Sequence, residues 1–314
     1  MAEVSYLLTS YNKAAFLPCV LESIRREQAA TGGQIVILDD GSSDGSAQIC
    51  RDFAAANPGV VLLEQENRGV YAALNRLLPL ASGKWIRLCD SDDPLILGST
   101  DYLIEMAELD DAAIAYGGAV PYGPEPLPLQ ALESIRPVAC ASFVHPDALM
   151  HLIQAMDFTT SRAIYRGKAA KAALPLPEHL ISCQDFALAL RMTATGPLVR
   201  LREPVCFYLG GAPNQLSASE ALTRHQTIRI LQASRAYLKR RHRNAAIIES
   251  YRWGRRALRR ERRGLRFQLG KMALKTLSTA TRLGIYDWHR ALDAFASPYE
   301  SQLGAIIGRR TKPY

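Results

Sequence analysis

Four short apolar runs punctuate the first 95 residues, and each gives way abruptly to a polar cluster. Residues 4–8 stop at Thr9-Ser10-Tyr11-Asn12, and residues 34–38 stop at Asp39-Asp40-Gly41-Ser42-Ser43-Asp44. Residues 60–63 lead into Glu66-Asn67-Arg68-Gly69, and residues 85–88 end at Cys89-Asp90-Ser91-Asp92-Asp93-Pro94. Between the runs, apolar residues recur at helical spacing. Phe16, Val20, Leu21 and Ile24 form one set; Ile49, Cys50 and Phe53 form a second, with Ser43 or Asp44 as its N-cap; residues 71–80 form a third. Strands that are apolar throughout are buried on both faces, and strands separated by helices pair in parallel. The expectation is an α/β fold with a mainly parallel, Rossmann-like sheet and helices on both faces.

In such sheets ligands bind outside the carboxyl ends of the strands. The clusters at residues 9–12, 39–44 and 90–93 all fall on that edge, which makes it the candidate site. Three carboxylates crowded at Asp90-Ser91-Asp92-Asp93 repel one another unless solvated or neutralised. One reading is a solvated turn; the other is a site for a hard divalent ion, Mg²⁺ or Mn²⁺, that also takes diphosphate oxygens. In Asp39-Asp40-Gly41-Ser42, one carboxylate can accept from a base N–H or a ribose hydroxyl while the other caps the turn. The alternative there is an Asx-turn alone.

Taken in order, Thr9-Ser10-Tyr11-Asn12-Lys13, Leu38-Asp39-Asp40-Gly41-Ser42-Ser43-Asp44-Gly45, Glu66-Asn67-Arg68-Gly69 and Asp90-Ser91-Asp92-Asp93 resemble the motifs of family 2 glycosyltransferases. Gln184-Asp185 resembles that family's acidic dipeptide, usually Glu-Asp, and the resemblance covers about residues 4–218. It implies the GT-A fold and transfer of a sugar from a nucleotide-diphosphate donor to a hydroxyl of a glycan or lipid-linked acceptor, with inversion. By the same resemblance Thr9 and Tyr11 line the nucleoside pocket, Asp40 binds base or ribose, and Asn67 or Arg68 lies near the nucleotide. Asp92 is the metal ligand, with Asp90 a ribose or ligand-orienting partner, and Asp185 is the general base. The plain alternative for Asp185 is a carboxylate stabilised by a helix N-terminus. Some relatives carry a histidine metal ligand after the base. None occurs between Cys206 and Ser219, where Asn214-Gln215-Leu216-Ser217 occupies the comparable loop, so diphosphate and water would complete the shell.

A nucleotidyltransferase or dehydrogenase shares the α/β alternation, but neither G-x-G-x-x-G nor a P-loop follows the first run. A non-catalytic basic adaptor is the third class, opposed by the intact Asp90, Asp92 and Asp185.

Charge divides the chain. Residues 1–220 carry 16 Lys and Arg against 25 Asp and Glu, whereas residues 221–290 carry 19 against 3. A boundary near residue 219 is therefore expected, separating residues 1–218 (nucleotide half to about 95, acceptor half beyond) from a basic helical segment at 219–314. Residues 121–137 read as a Pro-rich loop, and Gln184–Met192 as a helix. In the basic segment Leu258, Leu265, Leu269, Met272 and Leu277 interleave with the cations. That pattern suits an anionic membrane surface. A solvated helical face is the plainer reading, and nucleic acid is not expected, for no binding motif accompanies the charge. Glu249-Ser250-Tyr251-Arg252-Trp253 is similar to the Q-x-x-R-W of processive synthases, but Glu replaces Gln and no spanning helices surround it. The six cysteines are scattered and read as small core hydrophobes. No signal peptide and no run of about 18 apolar residues is evident. The expected location is the cytoplasm, peripheral on the inner membrane.

Overall fold

The computed structural model describes residues 3–135, 142–155, 157, 159–210, 219–260, 265–284 and 286–307. They fall into two compact units, one of residues 1–148 and 157–213, the other of residues 149–156 and 214–314.

The first unit is built on an eight-stranded sheet. Its strands are β1 (Val4–Ser10), β2 (Gly33–Asp39), β3 (Val61–Glu64), β4 (Trp85–Asp90), β5 (Ile114–Tyr122), β6 (Ser142–Val144), β7 (Ala163–Arg166) and β8 (Leu198–Leu209). Their order is β3-β2-β1-β4-β7-β5-β8-β6. The first four pair in parallel, β7 runs antiparallel to both β4 and β5, β8 returns parallel to β5, and β6 closes the edge antiparallel to β8.

The helices of this unit are α1 (Leu17–Thr31), α2 (Ser46–Ala56), α3 (Val70–Leu77), α4 (Ser99–Leu109), α6 (Gly167–Ala172) and α7 (Gln184–Met192); α5 (Ala148–Gln154) falls almost wholly in the second unit. Strand residues alternate faces. Val4, Tyr6 and Leu8 of β1 and Ile35 and Ile37 of β2 pack with Leu17, Val20, Leu21 and Ile24 of α1. Trp85, Ala115, Ile164 and Val199 pack with Leu103 and Met106 of α4. On the opposite face Leu7, Val36 and Leu38 are buried on the side of α3, which packs against β1 and β2. Cover on both faces is why these strands carry no polar alternation.

Two details differ from the sequence reading. The N-cap of α2 is Gly45, at φ 94°, with no side-chain cap; Asp44 instead accepts from the Ser46 amide (3.0 Å) and hydroxyl (2.6 Å) from one residue further out. The Pro-rich stretch is not loop throughout, since β5 runs on to Tyr122 and a 3₁₀ turn spans Leu129–Glu133. Five cysteines (Cys19, Cys50, Cys89, Cys183 and Cys206) are free and buried; Cys140 lies outside the described residues.

The second unit contains α8 (Glu220–Ala233), α9 (Arg240–Arg260), α10 (Leu265–Arg282) and α11 (Trp288–Ile307). Its core takes Leu222, Ile228 and Leu231 of α8, Ala246, Ile247 and Trp253 of α9, and Leu292, Phe295 and Tyr299 of α11. Tyr299 donates to the Trp253 carbonyl at 2.6 Å, and the Arg224 guanidinium lies 4.9 Å from the Trp253 ring centre. Glu249 pairs with Arg252 at 2.5 Å along α9, and buried Trp253 anchors the Glu249–Trp253 segment in the bundle core. Of the apolar residues interleaved with charge, Met272 is exposed and Leu277 half-buried, while the side chains of Leu258, Leu265 and Leu269 lie outside the described residues.

Candidate functional site

The loops after β1 and β2 are stitched together by their own polar side chains. The amides of Asn12 and Lys13 donate to Ser42 Oγ (3.0 Å) and Ser46 Oγ (2.9 Å), and the Ser43 amide donates to Asn12 Oδ1 (2.8 Å). Asp39 caps the turn, taking the Ser42 amide on Oδ1 at 2.8 Å and the Ser42 hydroxyl on Oδ2 at 2.6 Å. Gly41 adopts φ 76°, and a Cβ there would stand 2.7 Å from the Asn67 backbone nitrogen. Only glycine lets the two loops approach this closely.

Asp40, buried beside it, turns to the loop after β3. Its Oδ1 accepts from Gln65 Nε2 (2.7 Å) and the Arg68 amide (2.9 Å), and its Oδ2 accepts from the Gly69 amide (2.8 Å). A carboxylate offers about four acceptor positions. Asp40 therefore spends three on holding residues 65–69 and keeps one for a ligand. Around it Thr9 is half-buried, paired in register with Leu38 and Asp90, while Tyr11 is 46% exposed. Asn67 and Arg68 are exposed, and Arg68 pairs at 3.2 Å with Glu178.

At the end of β4 the three carboxylates have separate partners. Asp90 receives the Ser161 hydroxyl (3.3 Å), and its own amide donates to Ser161 Oγ (2.9 Å). Asp92 pairs with Lys13 Nζ at 2.6 Å, and its backbone carbonyl accepts from the Tyr122 hydroxyl. Asp93, buried, accepts the Leu209 amide at 3.1 Å. Burial, then the charges of Asp92 and Asp185, pushes Asp90 up to about 7. Asp93 is likewise held well above the usual carboxylate range by burial and by Asp92 and Asp90.

Asp185 sits in the first turn of α7, 8% exposed, with the Phe186 amide donating to its Oδ1 at 2.7 Å. Burial raises it to about 6, against the opposing pull of that amide. Gln184 donates to Thr160 Oγ1 at 3.2 Å, and Ser161 holds Asp90, so two adjacent residues tie the start of α7 to the end of β4.

The sheet explains this convergence. Because β7 is reversed, the turn before it reaches the same edge as the ends of β4, β5 and β8. Lys13 stood inside a recognisable motif without an assigned part. Ser161, Tyr122 and Leu209 carry no local signal at all, being brought in by strand order alone.

The donor set is suited to a hard cation: carboxylate oxygens gathered at the end of β4, with an ammonium already seated on Asp92. Among the described residues no three His, Cys, Asp or Glu side chains converge as a cage. Asn214-Gln215-Leu216-Ser217 lies outside the described residues.

Similarity to known proteins runs in the same direction. A protein of Escherichia coli K12, the uncharacterized glycosyltransferase YibD, is 34% identical over 113 residues, covering 36% of this chain and 33% of that protein. A PGL/p-HBAD biosynthesis glycosyltransferase of Mycobacterium bovis is 33% identical over 122 residues, covering 37% and 46%. The chain thus spans less than half the length of these relatives. Among solved structures, S. aureus TarS 1-349 in complex with UDP-GlcNAc superposes with a TM-score of 0.66 at 14% identity, over 96% of this chain and 92% of that one. The mannosyltransferase PcManGT of Pyrobaculum calidifontis, in complex with GDP-Man and Mn²⁺, gives 0.56 at 15% identity over 96% and 86%. These two likenesses establish a shared fold. The model of the family described as Glycosyl transferase family 2 matches residues 5–171, more than half of the sequence and all four strand-end loops, and the chain belongs to that family.

Proposed function

We propose that this chain transfers a sugar from a nucleotide-diphosphate donor to a hydroxyl of a glycan or lipid-linked acceptor, with inversion, in surface polysaccharide or lipopolysaccharide synthesis. The observation that carries the reading is the meeting of the Asp40 loop, the residues 90–93 turn and the buried Asp185 at one sheet edge. Thr9, Tyr11, Asp40, Asn67 and Arg68 take the nucleoside, and Asp90 orients the ribose. Asp92 would hold Mn²⁺ or Mg²⁺, which when bound supplies Lewis-acid stabilisation of the departing diphosphate. Asp185 takes the proton from the acceptor hydroxyl as that oxygen attacks the anomeric carbon from the face opposite the diphosphate. Titrating near 6, it is ionised at neutral pH yet basic enough to hold a proton, as a general base requires. The neighbours crystallised with UDP-GlcNAc and with GDP-Man and Mn²⁺ support the ligand class.

The proposed division is a catalytic part at 1–218 and a basic helical part at 219–314 that attaches reversibly to anionic membrane on its cytoplasmic face. No helix among the described residues is long and apolar enough to cross a membrane. The deciding experiment is calorimetry of UDP and GDP with and without Mn²⁺. Binding of either, strengthened by the metal, is expected; no binding of any nucleoside diphosphate would overturn the reading.

A further inference from the structure

The second unit carries a shallow, open cleft of about 560 Å³ that the transferase reading does not use, lined by Gln232, Ala233, Arg235, Ala236, Arg243 and His289. It lies where the end of α8, the 3₁₀ turn Arg235–Tyr237 and the starts of α9 and α11 come together. Its walls are fixed by the polar residues that line it. Gln232 Nε2 donates to the His289 carbonyl (3.3 Å) and to Asp293 Oδ1 (3.1 Å), and Arg243 Nη1 donates to the Leu238 carbonyl (3.2 Å).

The charge balance is one-sided. The nearby acids are already engaged: Asp293 and Glu300 both pair with Arg229, and Glu300 also lies 3.8 Å from His225. Arg243 appears in no ion pair among the described residues, and its remaining N–H groups stay available. The Arg235 side chain is exposed and makes no hydrogen bond or ion pair there. Two guanidiniums therefore line a concave space to which no carboxylate residue contributes, whereas Arg229 of α8 is paired with Asp293 and Glu300, and His289 at the rim lies within the field of Asp287 and Asp293.

We propose that this cleft is a phosphate-binding site, with Arg235 and Arg243 gripping phosphoryl oxygens and His289 closing the rim. Guanidinium forks match tetrahedral oxyanions, and two of them on one concave surface suit a phosphate or diphosphate group. The same chemistry is offered by a lipid headgroup or lipid-linked diphosphate and by a free anion.

The test titrates inorganic pyrophosphate calorimetrically into the full chain in EDTA, which removes metal-assisted binding at the strand-end site. Arg235→Gln/Arg243→Gln is compared with Lys275→Gln/Arg282→Gln, which removes the same charge from exposed positions on α10. The proposal expects the first pair to lose tenfold or more in affinity and the second less than twofold. Arg235→Gln alone, which breaks no bond, should lose several-fold, so a folding defect in the double variant leaves the outcome legible. Equal losses in both pairs, or no pyrophosphate binding by the wild type, overturns it. A second arm uses phosphatidic acid vesicles against neutral phosphatidylcholine. Release of bound protein by pyrophosphate identifies the lipid phosphate as the occupant, and vesicle binding unaffected by both pyrophosphate and the double variant assigns the cleft to a free anion. The cleft does not depend on the transferase assignment, and nucleotide binding by both double variants should stay at the wild-type level.

Discussion

Replacing Asp185 with Asn should cut turnover severely and yet make the protein more stable. The carboxyl is 8% exposed and its pKa rises from 3.8 to about 6 on folding. A shift of about two units corresponds to about 3 kcal/mol against the ionised form. The sign follows from proton binding: between 3.8 and 6 the folded state holds a proton that the unfolded chain has released. Stability is therefore lost as pH rises through that window, and the whole penalty is present above about 6. Asn keeps the oxygen that accepts from the Phe186 amide at 2.7 Å and removes the buried charge. Its new NH₂ needs an acceptor, which takes back part of the gain, leaving about 1–3 kcal/mol, or roughly 3–10 °C in a domain of this size. The assay is thermal melting of wild type and Asp185→Asn at pH 7.5 and pH 4.5, with release of nucleoside diphosphate measured in parallel on the true acceptor. Turnover should fall by about 100-fold or more while nucleotide affinity holds. A variant that melts lower at pH 7.5, gains as much at pH 4.5, or retains turnover would refute the reasoning.

Asp92→Ala should remove the strengthening of nucleotide binding by Mn²⁺, and Lys13→Met, which frees the Asp92 carboxylate, should raise Mn²⁺ affinity without nucleotide; both are read by calorimetry. Asp40→Ala should cost about 2–4 kcal/mol of stability and weaken nucleotide binding, because three donors from residues 65–69 lose their acceptor; denaturant unfolding checks the first effect. Gly41→Ala should cost about 1–3 kcal/mol through its positive φ and the 2.7 Å approach to Asn67. Co-sedimentation with anionic vesicles should be strong at low salt and largely gone at 1 M, where the Debye length is about 3 Å; a version truncated near residue 220 should not sediment.

Local chemistry alone was enough to place the four strand-end loops. An apolar run that stops at Asp-Asp-Gly-Ser or Asp-Ser-Asp-Asp tells where a strand leaves the core, and parallel α/β order then puts those ends on one edge. Gln184–Met192 read as a helix and forms one, although its five consecutive buried apolar residues, Phe186 to Leu190, show no single apolar face. The basic segment was legible as helical and charged, but its fate was not. Trp253, Leu274, Phe295 and Tyr299 are buried. Which apolar residues of a helix are buried depends on the helices that pack against it, and no single-helix period shows that. The reversal of β7 was likewise invisible, because a four-residue strand such as Ala163–Arg166 reads the same in either direction. That reversal seats Ser161 on Asp90 and Thr160 on Gln184. The mixed sheet brings Tyr122 and the Leu209 amide to Asp92 and Asp93. Tertiary structure also decided what the carboxylates do: Asp40 chiefly holds a loop, and Lys13 sits on Asp92. Asp185 acquires its raised pKa only once α7 is packed, because desolvation is a property of the assembled fold and of no residue by itself.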